Sequence, residues 1–136
     1  MAKRILIVDD SVSMRGMLRS ALSGSELDVI EATNGPEALA TLDRQTVDLI
    51  ITDVNMPGMD GISLVRAIRQ RPATKLTPVL ILTTECGAEI KQAGREAGAT
   101  GWIVKPFSPQ QLRQIIARVL PTQAEQAETK EAQSGR

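Results

Sequence analysis

Residues 5–10 read Ile-Leu-Ile-Val-Asp-Asp: an unbroken apolar run that stops at two adjacent carboxylates. Branched side chains in a short continuous run favour a strand covered on both faces, as in a parallel sheet between helical layers. The pattern recurs at Leu49–Ile51, Val79–Leu82 and Ile103–Val104. A more mixed version at Leu27–Ala32 carries Asp28 and Glu31 and suits a sheet edge.

Helical periodicity fills the gaps. Met14, Met17, Leu18, Ala21 and Leu22 keep the spacing of one helix face, as do Leu112, Ile115, Ile116, Val119 and Leu120. Such stripes are what a helix needs to cover a sheet, so core packing is the plain reading of them. Ser108-Pro109-Gln110-Gln111 combines an N-cap serine, a first-position proline and a capping-box glutamine; Gly35-Pro36 and Asp60-Gly61 open two further helices. The segment 87–98 is the weakest and most mobile helix by this reading, because it holds Gly87, Gly94 and Gly98 and its apolar positions are mostly alanine.

Five strands alternating with five helices specify an α/β fold: a single doubly wound (βα)5 domain, residues 1–120, with a five-stranded parallel sheet. Pro121 opens a stretch, residues 121–136, with no apolar side chain larger than alanine; it reads as a polar, disordered tail. Sixteen basic and sixteen acidic residues cancel, leaving no global field to hold a nucleic acid. No apolar run approaches the about 18 residues needed to cross a bilayer, which excludes a membrane protein. No apolar leader precedes the first strand, so the expected location is cytoplasmic. Cys86 is the single cysteine and there is no histidine, which argues against a disulfide and against a zinc centre.

In a doubly wound sheet the binding crevice lies at the carboxyl ends of the strands. Asp9 and Asp10 follow the first strand, Asp53 ends the third, Thr83 ends the fourth and Lys105 follows the fifth. Each has an ordinary explanation alone: Asp10 as a helix cap, Thr83 as a strand end, Lys105 as a solvated amine. Together they put three carboxylates, a hydroxyl and an ammonium on one rim. Crowded carboxylates resist ionisation unless a cation joins them. Mg²⁺, which keeps several waters and is usually held by one or two carboxylates plus phosphate oxygens, suits an open rim. Phosphoryl chemistry follows, with Asp53, alone on the central strand, as the nucleophile and Asp9 and Asp10 as a metal-holding pair.

The segments "LIVDDS" (6–11), "DLIITDVNMPGMDG" (48–61), "ILTTE" (81–85) and "GATGWIVKPF" (98–107), in this order and spacing, resemble the receiver domain of two-component response regulators. The resemblance covers about residues 3 to 120 and is nearest to the stand-alone, CheY-like chemotaxis type. It implies strand order 2-1-3-4-5. It also implies Asp53 as phosphoacceptor, Asp10 and Asp53 as direct Mg²⁺ ligands, Asp9 acting through water and Asn55 giving its backbone carbonyl to the metal. Thr83 would donate its hydroxyl to the phosphoryl group and Lys105 would pair with it. A cis bond is implied at Lys105-Pro106. Trp102 stands where the family carries a tyrosine or phenylalanine that acts as an aromatic switch.

The function so implied is a phosphorylation-operated binding switch. A chemotaxis-type sensor histidine kinase would donate to Asp53, and the face made by the fourth helix, fifth strand and fifth helix would change its affinity for a protein target. That target would be the flagellar motor switch, with a phosphatase as a further partner. The chain would not be an enzyme beyond its own phosphorylation and dephosphorylation at Asp53. Alternatives within the family are a phosphate sink or a regulator of another pathway. Outside it stand a flavin-binding electron carrier, which needs a glycine- and hydroxyl-rich loop where "DDSVSMRG" stands, and an aspartyl-nucleophile phosphatase, which needs its two carboxylates two residues apart after the first strand.

Overall fold

A computed structural model describes residues 3–23, 26–84 and 87–120. Its strands are β1 (Lys3–Val8), β2 (Leu27–Ala32), β3 (Leu49–Asp53), β4 (Val79–Thr83) and β5 (Gly101–Val104). Its helices are α1 (Val12–Leu22), α2 (Gly35–Arg44), α3 (Gly61–Arg69), α4 (Ala88–Ala97) and α5 (Pro109–Val119). All strand pairs are parallel and the order is β2-β1-β3-β4-β5, as expected.

Strand pleating explains why the central runs are apolar without interruption. Ile5, Ile7, Leu49, Ile51, Leu80 and Leu82 point to one face, where Leu18, Ala21 and Leu22 of α1 and Leu112 and Ile116 of α5 cover them. Leu6, Val8, Ile50, Val79 and Ile81 point to the other, under α2, α3 and α4. Each such fully buried side chain contributes about 1.5–3 kcal/mol of hydrophobic free energy. β2, with its charged Asp28 exposed, is an edge strand, and β5 is the other edge.

Side-chain caps set the helix starts. Ser11, Asn34, Asp60 and Ser108 each accept a backbone N–H from three residues on, and Gln111 completes the capping box at Ser108. Two sequence expectations need correction. Met17, placed on the core stripe of α1, is 54% exposed, because the covering face of α1 is narrower than its periodicity suggests. In α4, Gly87 is the N-cap and Gly98 the C-cap, the latter at φ 105°, where a side chain would be strained. Only Gly94 lies inside the helix, and a Cβ there would come 2.9 Å from Ile81 Cδ1. The glycines therefore punctuate and pack α4. Cys86 and the tail at 121–136 lie outside the described residues. Among those described, no helix is long and apolar enough to cross a membrane.

Candidate functional site

The candidate site lies on the rim at the carboxyl ends of β1, β3, β4 and β5. Asp9, one residue past β1, donates its N–H to Ala32 O at 3.1 Å, and the residue is 1% exposed. Its Oδ1 accepts from Ser11 N at 2.9 Å, while its buried Oδ2 has no partner among the described residues. Asp10 follows, exposed to solvent. Asp53 closes β3 and is 6% exposed. Carboxylate oxygens of Asp9, Asp10 and Asp53 lie within 4.8 Å of one another.

Lys105 supplies the cation. Its Nζ lies 3.1 Å from Asp53 Oδ1, and its backbone N–H donates to Thr83 O at 2.7 Å. The Lys105-Pro106 peptide is cis. Thr83 is the last residue of β4 and is buried beside β5, level with Val104. Asn55 lies two residues beyond Asp53 on the loop to α3, with its side chain exposed. Trp102 sits apart from the rim, within β5, packed against the α2–α4 side of the core. Lys91 Nζ is 5.3 Å and Arg95 Cζ 6.0 Å from its ring centroid, both reaching over from α4.

The electrostatics are unbalanced as the residues stand. Three carboxylates face one ammonium. Burial pushes the Asp9 carboxyl above the ordinary value; the Ser11 N–H opposes this, the Asp53 charge adds to it, Lys105 opposes it, and Asp10 adds again. A hard divalent cation with oxygen ligands fits this donor set: it would partner the orphaned Asp9 Oδ2 and offset the excess negative charge. Histidine is absent, and no thiol stands among the three acids, so a soft-metal site does not fit.

The structure thus brings Asp9, Asp10, Asp53 and Lys105 together, sets Thr83 on the adjoining strand end, and leaves Asn55 on the flanking loop and Trp102 a layer below. Sequence reasoning missed Gly61. Read only as a helix start, it lies against the main chain of Asp53, and a Cβ on it would fall 2.2 Å from Asp53 O. Gly61 N also donates to Val54 O at 2.9 Å, so the loop after Asp53 closes tightly and α3 starts behind the acid. The hint in the sequence was a glycine directly after an N-cap aspartate, where most side chains would serve.

The response regulator receiver domain family matches residues 5–117. The chemotaxis protein CheY1 of Helicobacter pylori is 41% identical over 122 residues, covering 88% of this chain and 98% of that protein. The structure of the chemotaxis response regulator CheY4 of Vibrio cholerae superposes with a TM-score of 0.84 at 46% identity, over 88% of this chain and 100% of that one. The receiver domain of a sensor histidine kinase of Pseudomonas aeruginosa, solved with a magnesium ion coordinated in its active-site cleft, gives a TM-score of 0.82 at 25% identity, over 90% and 100%.

Proposed function

The chain belongs to the response regulator receiver domain family, and on that premise we propose that it accepts a phosphoryl group from a histidine kinase onto Asp53 in a Mg²⁺-dependent reaction and thereby switches its affinity for a protein target. The observation that carries this reading is the ion pair of Lys105 with Asp53 at 3.1 Å, beside Asp9 and Asp10, on the last residue of the central strand.

A carboxylate oxygen of Asp53 attacks the phosphorus of the donor's phosphohistidine. The O–P bond forms, the P–N bond breaks, and the imidazole leaves and takes a proton from solvent. Asp53 then carries an acyl phosphate, which water hydrolyses at phosphorus to return the carboxylate and inorganic phosphate. Lys105, already aimed at Asp53, pairs with a phosphoryl oxygen as the charge moves outward. The Thr83 hydroxyl donates to another. Asp9, Asp10 and Asp53, with the carbonyl of Asn55, would hold Mg²⁺. When bound, the ion offsets phosphoryl negative charge that would otherwise face three carboxylates.

The output face is α4, β5 and α5, where Trp102 follows Thr83 and Lys105. The names of two relatives, both chemotaxis proteins, support a role in chemotaxis; the protein target proposed within that role is a flagellar motor switch. The magnesium in the kinase receiver domain supports the choice of ion. Radiolabelling with a small-molecule phosphodonor tests the assignment: wild type labels only with Mg²⁺ present, and Asp53→Asn does not label. Labelling that survives in Asp53→Asn overturns it.

A further inference from the structure

Arg15 is placed against the usual helix electrostatics. The first turn of α1 carries no acid, and Arg15 closes that turn, at the end where the helix dipole disfavours a cation. Its side chain is nonetheless only 12% exposed. A local rule broken at a largely covered position points to something gained there.

The gain lies in two bonds. Arg15 Nη1 donates to the backbone oxygen of Asp9 at 2.7 Å, and Arg15 Nε donates to Glu31 Oε1 at 3.1 Å on β2. Arg19 holds the other oxygen of Glu31 at 2.8 Å and also donates to Val29 O. Glu31 therefore anchors two guanidinium groups, of which only Arg15 reaches the acidic rim.

With that bond, every polar atom of Asp9 but one is fixed. Its N–H is held by Ala32 O, its carbonyl by Arg15 and its Oδ1 by the Ser11 N–H, leaving only Oδ2 for another partner. The Asp9 carbonyl and the Asp10 N–H also share one planar peptide, so clamping the oxygen sets the direction in which the chain leaves for Asp10. Asp10 is exposed and depends on that direction to face Asp9 and Asp53.

We propose that Arg15, anchored by Glu31, is a positioning residue that holds the Asp9-Asp10 peptide in the orientation that binds Mg²⁺. This rests on the reading of the three carboxylates as a Mg²⁺ site. Arg15 touches neither the ion nor the phosphoryl group; it acts through the main chain of the ligands, as outer-shell partners of metal ligands do.

The test is calorimetric titration of the full chain with MgCl₂, with circular dichroism as the check on folding. Arg15→Met keeps the buried stem and removes both bonds; it is expected to weaken Mg²⁺ binding by about tenfold or more. Arg19→Met loses the same anchor residue but no contact with Asp9, and is expected to bind as wild type does. Folded Arg15→Met with wild-type affinity overturns the proposal, as does an equal loss in Arg19→Met, which would make the effect one of helix–strand docking alone. Should Arg15→Met fail to fold, Arg15→Leu carries the test: its apolar side chain can make neither bond, and wild-type affinity in the folded variant overturns the proposal equally. Absence of Mg²⁺ binding in wild type instead removes the metal reading itself.

Discussion

Gly61 and Asp53 stand back to back: the first residue of α3 lies so close to the last residue of β3 that a Cβ on Gly61 would fall 2.2 Å from Asp53 O. The obstacle is backbone, which cannot swing aside as a side chain can. Asp53 is therefore held from behind by α3 while its carboxylate faces Lys105.

Gly61→Ala is accordingly expected to push β3 and α3 apart and to cost about 1–3 kcal/mol by overpacking. Because the displaced atoms belong to Asp53, phosphodonor labelling should fall by more than the loss of folded protein explains. Urea midpoints and labelling yields, measured on one preparation, separate the two effects. Wild-type values for both would mean that the contact relaxes freely.

Among the described residues, Lys105 is the cation that pairs with a carboxylate of the acidic group. Lys105→Met should leave Asp53 buried without a partner and destabilise the metal-free protein by about 3 kcal/mol. Mg²⁺ no longer competes with an ammonium in that variant, so it should bind more tightly and return more stability than it does in wild type. Thermal melts with and without MgCl₂ read both effects. Weaker Mg²⁺ binding would show that Lys105 organises the carboxylates.

Asp9 gives a pH signature. Its carboxyl is raised above the ordinary value, chiefly by burial, so the folded state binds the proton more tightly than the unfolded chain does. The stability from that proton is fully present below the unfolded carboxylate value of about 3.9 and is lost as pH rises through the raised folded value. Asp9→Asn lacks this loss. Without metal it should melt above wild type at neutral pH, by about 3–6 °C for each kcal/mol relieved, and the gap should close towards pH 4. Added Mg²⁺ should shrink the gap at neutral pH by partnering the wild-type carboxylate. A gap that does not change with pH would place the strain elsewhere.

The runs Ile5–Val8, Leu49–Ile51 and Val79–Leu82 were legible because burial on both faces leaves no room for polar residues, and the chemistry at their carboxyl ends stood out against them. The cap at Ser108 was legible because its partner is three residues away. The contact of Arg15 with the Asp9 carbonyl was not, since a surface-type arginine looks the same whether it meets water or a backbone oxygen. Gly87 and Gly98 were misread for a similar reason: composition counts glycines, whereas their effect depends on which turn of the helix they occupy. Gly61 was hidden because its neighbour is the main chain of β3, and backbone leaves no mark on a sequence.

Trp102, the only tryptophan, offers a direct view of the proposed switch. Its ring lies under Lys91 and Arg95 of α4, while Lys105, three residues on in the chain, reaches Asp53. Drawing Thr83 and Lys105 towards a phosphoryl group would pull on β5 and β4 where Lys105 N bonds Thr83 O, and so move the ring relative to the two cations. Fluoroberyllate with Mg²⁺ is expected to change both the emission of Trp102 and its quenching by acrylamide. Acrylamide is the right probe because it is neutral, whereas iodide would be drawn to Lys91 and Arg95 whatever the ring did. Thr83→Ala should still accept phosphate at Asp53 but show a smaller change in quenching, since it cuts the link between the new charge and the ring. Lys91→Met with Arg95→Met should alter emission before any phosphoryl mimic is added, because each cation over an indole face contributes about 0.5–1 kcal/mol to holding it there. Quenching that is the same with and without fluoroberyllate, in wild type and Thr83→Ala alike, would make Trp102 a static part of the edge strand and leave α4 to carry the signal without it.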